Sequence, residues 1–564
     1  MMIHPCCPRA GILQASLVLA FSHPALAQVP DAGRALRDLE RAAPAQLAPA
    51  SAIPVAAPAP VRTRAPGAQP SFVLQGITFK GNTVLSNADL QALVASAIGT
   101  RVTYDELKEL AGRVTAAYHA ADYLFTDTIV PAQEIVGGMV ELSVLEGRLG
   151  RTRIERIDTV PLSEARLAAV AGLLPRGRPL MRYQLERTML MLSDTPGIAT
   201  QSALETGDEA GTVDLVVEVK AAPRISLAFD LDNQGSPSTG RWRAGMLGRV
   251  NSPLGLGDNL DLRVLSSFGK GLLFGRLAYE VPVGASGLRA IVAAGHIQYE
   301  LGADFSALDA HGTADVVELG ATYPFVRSRL LNLFGKAGVE YKRLDDRIDV
   351  VAQASVKHVA NVTAGLVYER RDRHAGGGFV SGGIDLYRGR LDLRSAPDRA
   401  RDQGLGGRDK DGAFARATYQ LSRLQYLSRS LSAYLAVAGQ WSNRNLDSAE
   451  KIAGGGPRAV RAFSTSTGIG DTAAILNAEI RWGLAADATM SAFYDIARVR
   501  ANRDPAPGEE NRITLGGAGL GLYKVVATGT ALRASVAWPR VQTGEPSVAR
   551  ERGARVFGQL VKAF

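Results

Sequence analysis

Alternation of apolar and polar residues dominates the chain from Arg224 onward. Segments of about ten residues carry an apolar side chain at every second position, and turns rich in Gly, Asp, Asn and Ser separate them. In the segment from Leu331 to Lys342, for example, the apolar set faces away from Asn332, Lys336 and Glu340. A soluble β-sandwich rarely carries so many charged residues opposite its apolar face. We therefore predict a mainly β chain that ends in a transmembrane antiparallel β-barrel over residues 223–564.

Two similar units precede this region, over residues 71–148 and 149–222. Each begins with an alternating strand, continues with two helical segments and ends with strands. In the first unit, Thr103 and Glu106 form a capping box at the start of the second helix, whose apolar residues repeat at helical spacing. The pattern predicts two small α+β modules of β-α-α-β-β order.

The first residues predict an export signal. Arg9 precedes a short apolar run, and residues 25–27 read Ala-Leu-Ala, so we expect residues 1–27 to be removed as a signal peptide. Residues 28–43 follow as one short amphipathic helix. Residues 44–70 are rich in Ala and Pro and predict a semi-extended linker.

Composition excludes several kinds of function. The two cysteines, Cys6 and Cys7, lie inside the predicted signal peptide, so no disulfide framework or thiolate metal site is expected. The net charge is +9, but Lys and Arg are scattered among acidic residues, which argues against nucleic-acid binding. Histidines with metal-site spacing, a G-x-S-x-G pattern and a phosphate-binding loop are all missing. We therefore expect no enzymatic activity and no cofactor or metal.

One stretch does not follow the alternating pattern. An arginine lies between apolar residues inside a run of Gly, Ser and Thr that is typical of a flexible loop. The residues of this candidate loop tip are Val460, Arg461, Ala462 and Phe463. In a later alternating segment, an aspartate lies on the face that would line the barrel lumen. The residues of this second motif are Phe493, Asp495 and Ala497.

The whole arrangement resembles one family, the outer-membrane transporters of two-partner secretion of the haemolysin secretion/activation (ShlB/FhaC/HecB) type. Two segments carry the most specific resemblance. Residues 232–245 are similar to that family's D-N-x-G-S-x-x-T-G pattern, and residues 251–263 are similar to its N-P-L-G-x-G-D pattern. The two modules then correspond to polypeptide-transport-associated (POTRA) domains.

The resemblance implies a barrel of sixteen strands in the outer membrane, with both POTRA domains in the periplasm. It implies a large secreted exoprotein of adhesin or haemolysin type as the partner, docked by the POTRA domains. Periplasmic chaperones, the barrel-assembly machinery and outer-membrane lipid are further implied partners, and a monomer is expected. The helix of residues 28–43 would plug the barrel.

The resemblance also assigns the two motifs. The loop would fold into the barrel and gate the pore, with Arg461 in a V-R-G-Y/F tip that pairs with Asp495 of an F/G-x-D-x-G motif. Ala462 and Ala497 stand where the family has glycine, and alanine permits close backbone approach less easily. We therefore expect the loop to lie slightly differently, or to plug the pore less tightly.

Two other functions remain open at this point. A barrel-assembly insertase also joins such modules to a barrel, although two modules and a candidate plug disfavour it. A passive porin has no use for residues 72–220. The sequence does not separate an adhesin, a cytolysin, a haem-binding protein and a contact-dependent toxin as the exported partner.

Overall fold

The computed structural model describes most of the chain. The described ranges are residues 29–41, 70–209, 211–269, 271–544 and 552–564. The predicted signal peptide and, apart from Pro70, the predicted linker lie outside these ranges. No helix within them is both long enough and apolar enough to cross a bilayer.

The first module combines a short sheet with two helices. Its elements, after helix α1 (Ala32–Arg41), are β1 (Ser71–Val73), β2 (Gly76–Lys80), α2 (Asn87–Val94), β3 (Arg101–Thr103), α3 (Tyr104–Ala120), β4 (Thr126–Ile129) and β5 (Met139–Glu146). The sheet order is β2-β5-β4, and α3 buries Leu107, Val114 and Tyr118 against it. The predicted capping box of Thr103 and Glu106 is confirmed. The alternating segment that begins this unit is divided in the structure into β1 and β2. Strand β3 was not predicted, because three residues are too few to show alternation.

The second module repeats this plan. Its elements are β6 (Arg148–Arg156), α4 (Glu164–Ala171), α5 (Arg182–Ser193), β7 (Ile198–Thr206) and β8 (Thr212–Ala221). The sheet order is β6-β8-β7, with β7 on an open edge. The predicted β-α-α-β-β order implied this strand, but the sequence did not locate it, because almost all of its side chains are exposed and no apolar face marks it.

The predicted barrel is confirmed as a closed antiparallel sheet of sixteen strands. Its exposed face is apolar along most strands, and buried charged side chains such as Lys342, Arg416 and Asp495 point inward. The remaining elements are β9 (Ile225–Asp232), β10 (Arg243–Asn251), β11 (Asn259–Ser267), β12 (Leu272–Val283), β13 (Leu288–Glu300), β14 (Ala310–Arg327), β15 (Leu331–Ile348), β16 (Gln353–Asp372), β17 (Gly378–Leu393), α6 (Ala396–Gln403), β18 (Gly412–Tyr426), β19 (Leu431–Ser442), β20 (Ile452–Ala453), β21 (Ile469–Gly470), β22 (Thr472–Ala485), β23 (Ala488–Arg500), β24 (Arg512–Ala527), β25 (Thr530–Thr543) and β26 (Arg555–Ala563). All strands from β9 onward except β20 and β21 belong to the barrel.

The barrel closes where β26 pairs with β9, from Gln559 opposite Asp232 to Ala563 opposite Ala228. Beyond this seam, the Phe564 ring meets the Phe229 ring edge to face at 5.8 Å. Lys562 interrupts the apolar outer face of β26, but its Nζ donates to the Thr528 carbonyl oxygen at 3.0 Å. The charge is therefore satisfied at the turn and does not disturb the strand.

The second module packs against one rim of the barrel, which we call the module-side rim. Arg327, at the end of β14, donates through Nε and Nη2 to the two Asp194 carboxylate oxygens, at 2.7 Å each. From α5, Arg187 donates through Nη1 to the Pro324 carbonyl oxygen at 2.8 Å. The opposite rim is called the far rim, and the loop between β19 and β22 begins there and folds back into the lumen.

Candidate functional site

This inward loop, residues 443–471, fills part of the barrel. Val460, Ala462 and Phe463 at its tip are fully buried. The Gly-, Ser- and Thr-rich composition is typical of a flexible loop, but in the structure the loop tip is packed inside the lumen. Backbone hydrogen bonds close the tip on itself, from the Gly456 amide to the Val460 and Phe463 carbonyl oxygens at 3.2 and 3.1 Å. Glycine is used here because the chain turns tightly against itself: a Cβ on Gly455 would lie 2.3 Å from the Ser464 carbonyl oxygen.

The structure brings Arg461 and Asp495 into direct contact. The guanidinium donates through Nε and Nη2 to the two Asp495 carboxylate oxygens, at 2.8 and 2.7 Å. The Arg461 backbone amide donates to the same carboxylate at 3.1 Å. Asp495 is fully buried, so this fork-to-fork geometry compensates for the loss of water around its charge.

A second carboxylate completes the arginine site. Arg461 Nη1 donates to Glu479 Oε1 at 2.7 Å, and Arg481 binds the other Glu479 oxygen at 2.7 Å. The guanidinium carbon also lies 3.4 Å from the centre of the Phe493 ring, which is a cation–π contact. Burial by itself lowers the pKa of Arg461, but the hydrogen bonds and charges of Asp495 and Glu479 outweigh it and raise the pKa.

Sequence reasoning did not single out Glu479, nor Asn477, whose Nδ2 donates to Asp495 Oδ1 at 2.7 Å and to the Ala459 carbonyl oxygen at 2.8 Å. Both lie on the polar face of β22, opposite its apolar residues. The sequence therefore contained evidence for these two site residues, as polar positions on the strand adjacent to Asp495. Strand pairing, which the sequence does not give, was needed to read it.

The two alanines that replace glycine each face a glycine of the opposing element. A Cβ built on Gly517, in β24, would lie 2.4 Å from the Ala462 Cβ, which is closer than two carbons can approach. A Cβ built on Gly454, in the loop, would lie 3.4 Å from the Ala497 Cβ. In the family motifs, the tip and the strand would carry glycines that permit close approach. Here Gly517 and Gly454, which lie opposite the two alanines, permit it.

A second group of buried charges holds the first part of the loop, residues 446–451, which we call the loop stem. Glu450 is fully buried and accepts hydrogen bonds from Lys342 Nζ at 3.1 Å and from Arg416 Nε at 2.5 Å. Burial alone raises the pKa of Glu450, but Lys342, Arg416 and Arg37 outweigh it and hold the pKa far below its usual range. The stem is therefore fixed to the barrel wall by ionised groups.

Helix α1 lies in the lumen between the loop stem and the barrel wall. Its N-terminus is bound on both sides, because Asp31, the residue before the helix, accepts from Lys357 Nζ at 2.8 Å and from Ser448 Oγ at 2.6 Å. At Gly33, a Cβ would lie 2.6 to 2.8 Å from three atoms of Ala449, so glycine permits this contact. Further along, Leu39 is buried in a cluster with residues of the barrel wall.

A closed barrel with an apolar outer face and a helix and charged loop inside its lumen defines a transporter of the outer membrane. The chain belongs to the Haemolysin secretion/activation protein ShlB/FhaC/HecB family, whose model matches residues 211–523, and the ShlB-type POTRA domain model matches residues 72–147. Members of this family are transporters of two-partner secretion, and this chain is such a transporter. The module-side rim accordingly faces the periplasm, and the far rim faces the exterior.

Named relatives agree with this assignment. The chain is 24% identical to the Heme/hemopexin transporter protein HuxB of Haemophilus influenzae over 468 residues, which cover 82% of each protein. It is also 24% identical to the Outer membrane transporter CdiB of Escherichia coli over 503 residues, covering 84% of this chain and 80% of that protein. The solved structure of CdiB from Escherichia coli shares the fold, with a TM-score of 0.74 at 19% identity, over 96% of this chain and all of that one.

We predict that Gly517→Ala displaces the loop tip, because the new methyl group would collide with that of Ala462. The double variant Gly517→Ala with Ala462→Gly should recover secretion of the partner exoprotein, since it exchanges the two sides of one contact. Gly275→Ala is the matched control, because a Cβ on that barrel glycine meets no atom within 4 Å. A double variant that secretes no better than Gly517→Ala would refute this steric account.

Removal of the Arg461 guanidinium is predicted to release the loop tip. Arg461→Ala leaves the fully buried Asp495 carboxylate without its partner, at a cost of roughly 3–5 kcal/mol. Secretion of the exoprotein should therefore fall, and the loop should leave the lumen at a lower urea concentration. Asp495→Ala should cost less, because Glu479 still binds the arginine. A charge swap of Arg461 and Asp495 should not rescue function, because an aspartate at 461 would face Glu479.

The control for this series is Arg481→Ala, which removes a lumen arginine that binds Glu479 without removing the Asp495 contact. Membrane insertion is checked by heat-modifiable mobility of the barrel, which none of these variants should alter. Equal losses in Arg461→Ala and Arg481→Ala would show that lumen charge in general, and not the loop-tip contact, matters.

Proposed function

We propose that α1 and the inward loop close the pore together and leave it together when the exoprotein passes. The observation that carries this proposal is the direct contact between α1 and the loop stem at Gly33 and Ala449, reinforced by the hydrogen bond from Ser448 to Asp31. Because the two elements share one interface inside the lumen, displacement of either removes contacts from the other. Arg461 then gates the pore by holding the tip to the β22 and β23 wall.

The space beneath the loop tip supports a path from the periplasm. A cavity of about 620 Å³ lies there, and its lining includes Arg461 and Glu479 together with Ser432 and Thr489 from the periplasmic ends of their strands. We infer that the exoprotein enters this cavity as an extended chain before the loop tip is released. Because Arg461 and Glu479 line this cavity, entry and gating would act on the same residues.

The two POTRA domains, at residues 71–148 and 149–222, are proposed to dock the unfolded exoprotein beneath the barrel of residues 223–564. Strand β7 is well suited to this purpose, because it is an edge strand of nine residues that pairs only with β8 in the described sheet. An extended chain can add to such an edge through backbone hydrogen bonds, without a fixed sequence. The Arg327–Asp194 pair would hold this edge close to the barrel mouth.

The remaining partners follow from the membrane setting. We propose that residues 28–43 act as the plug and residues 44–70 as its tether, and that the transporter works as a monomer surrounded by outer-membrane lipid. Periplasmic chaperones would deliver the exoprotein, and the barrel-assembly machinery would insert the transporter. HuxB is named a Heme/hemopexin transporter, while CdiB is named simply an outer membrane transporter, so we propose only a large exoprotein as cargo.

Undocking of α1 is predicted to open the pore. Gly33→Val places a side chain into the backbone of Ala449, so α1 should leave its site and single-channel conductance in planar bilayers should rise. Gly112→Val in α3 is the matched control, because it makes the same change in a helix where a Cβ meets no atom within 4 Å. Equal conductance in the two variants would exclude α1 as the plug.

Blocking the β7 edge is predicted to prevent docking. Consecutive residues of an edge strand direct their N–H groups alternately to the neighbouring strand and to the open edge. Of Ser202→Pro and Ala203→Pro, one should therefore remove an open-edge donor and the other a β8 hydrogen bond. The variant whose POTRA domain still resists proteolysis should bind unfolded exoprotein less tightly and secrete less of it. Unchanged binding in that variant would rule out β-augmentation at β7.

A further inference from the structure

Three arginines lie together on the outer face of the barrel, at the exterior ends of β15 and β17. They are Arg343, Arg388 and Arg390, and all three are exposed. Directly toward the membrane centre, the same face carries exposed apolar side chains, with Val362 at 60% and Leu386 at 53% exposure. The arginines therefore lie at the exterior boundary of the lipid-facing apolar surface.

The strand register surrounds two of these arginines with small apolar neighbours. Arg388 lies between Val362 and Ala415, and Arg390 lies between Ala360 and Ala413. None of these side chains can accept a hydrogen bond. Ala360 has Tyr341 as its other cross-strand neighbour, so an aromatic ring lies one strand beyond the small side chains beside Arg390.

Nearby acceptors are engaged elsewhere. Asp392, on the same face of β17, accepts from Arg394 Nη1 at 2.6 Å. Arg343 has Asp315 and His358 as cross-strand neighbours, but Asp315 binds His296 Nδ1 at 2.7 Å and His358 binds the Tyr341 hydroxyl at 3.0 Å. Among the described residues, no carboxylate forms an ion pair with any of the three arginines.

We propose that Arg343, Arg388 and Arg390 bind the phosphate groups of a phosphorylated glycolipid in the outer leaflet of the outer membrane. A guanidinium on a lipid-facing strand is unfavourable unless an anion compensates its charge. Its planar fork matches phosphate oxygens, and the apolar surface below the cluster accommodates acyl chains. The site thus places phosphate-binding arginines toward the exterior and an apolar surface toward the membrane centre, which matches the headgroup and the acyl chains of such a lipid.

The position of the site gives it a consequence for transport. Strands β15 and β16 carry Lys342 and Lys357 on their inner face, where these lysines bind the loop stem and α1. Arg343 follows Lys342 on β15 and points to the opposite side of the wall. A lipid bound outside and the loop stem bound inside therefore contact consecutive residues of one strand. This consequence rests on the proposed function, whereas lipid binding does not.

The test uses the full-length protein in detergent and native mass spectrometry, with bisphosphorylated lipid A as the probe. The variant Arg343→Gln/Arg388→Gln/Arg390→Gln should bind the probe at least about tenfold more weakly than the wild type, because several charge-assisted hydrogen bonds are lost. Arg370→Gln is the matched control, since it removes an exposed arginine from the opposite, periplasmic end of β16.

Two further arms separate the source of the phosphate. Lipid A without its two phosphates should bind the wild type weakly. This loss of affinity should equal the loss seen when the triple variant binds bisphosphorylated lipid A. Inorganic phosphate at the concentration of the lipid should not displace it. Equal binding of the two lipids, displacement by inorganic phosphate, or equal losses in the triple variant and Arg370→Gln would each overturn the proposal. Heat-modifiable mobility verifies that every variant retains its barrel.

Discussion

The Arg461 guanidinium is the contact on which the arrangement inside the barrel depends. It is an arginine from a loop, placed in a lumen where its partner Asp495 has no access to water. A charge in that position is tolerated only if it is paired and hydrogen-bonded, and Arg461 meets this condition with two carboxylates and an aromatic ring. The pairing also gives direction, because a planar guanidinium matches a carboxylate in few orientations. The loop tip is therefore held in place, and not simply enclosed.

Small residues make this electrostatic contact sterically possible. Ala462 follows Arg461 directly, and its methyl group reaches the wall only because Gly517 has no side chain. The same relation recurs at Gly33 and Ala449, where α1 meets the loop stem. In both places, charge pairing sets the register of two elements, and a missing Cβ lets their backbones approach. Loss of either feature removes the benefit of the other.

The barrel wall presents different chemistry to two environments, and the alternation of each strand produces both. On β15, Tyr341 and Arg343 face outward, while Lys342 faces the lumen and binds Glu450. Outside, apolar residues meet lipid; inside, charges are buried against a loop and a helix. The lumen-facing charges are costly to keep buried without partners, so departure of the loop and α1 must not leave them desolvated. The exporting state must therefore supply water or exoprotein groups as replacements.

The sequence alone determined much of this protein. The period of two from Arg224 onward is a local property of the chain, so it predicted the barrel and the inner or outer face of most strands. The capping box at Thr103 and the lumen orientation of Asp495 followed from equally local patterns. Strand β7 was not found, since an edge strand exposed on both faces has no apolar period to detect.

Only the tertiary structure decided what the buried groups meet. Glu479 and Asp495 lie 16 positions apart in the chain, and the pairing of β22 with β23 brings both to Arg461. Gly517 is unremarkable as a residue in a strand until the loop tip is placed against it. The glycines of the loop are typical of a flexible segment, yet here they permit tight turns in a packed lumen. The physical reason is the same in each case: alternation and composition are read along one strand, while charge pairing and close approach arise between strands that the chain order does not relate.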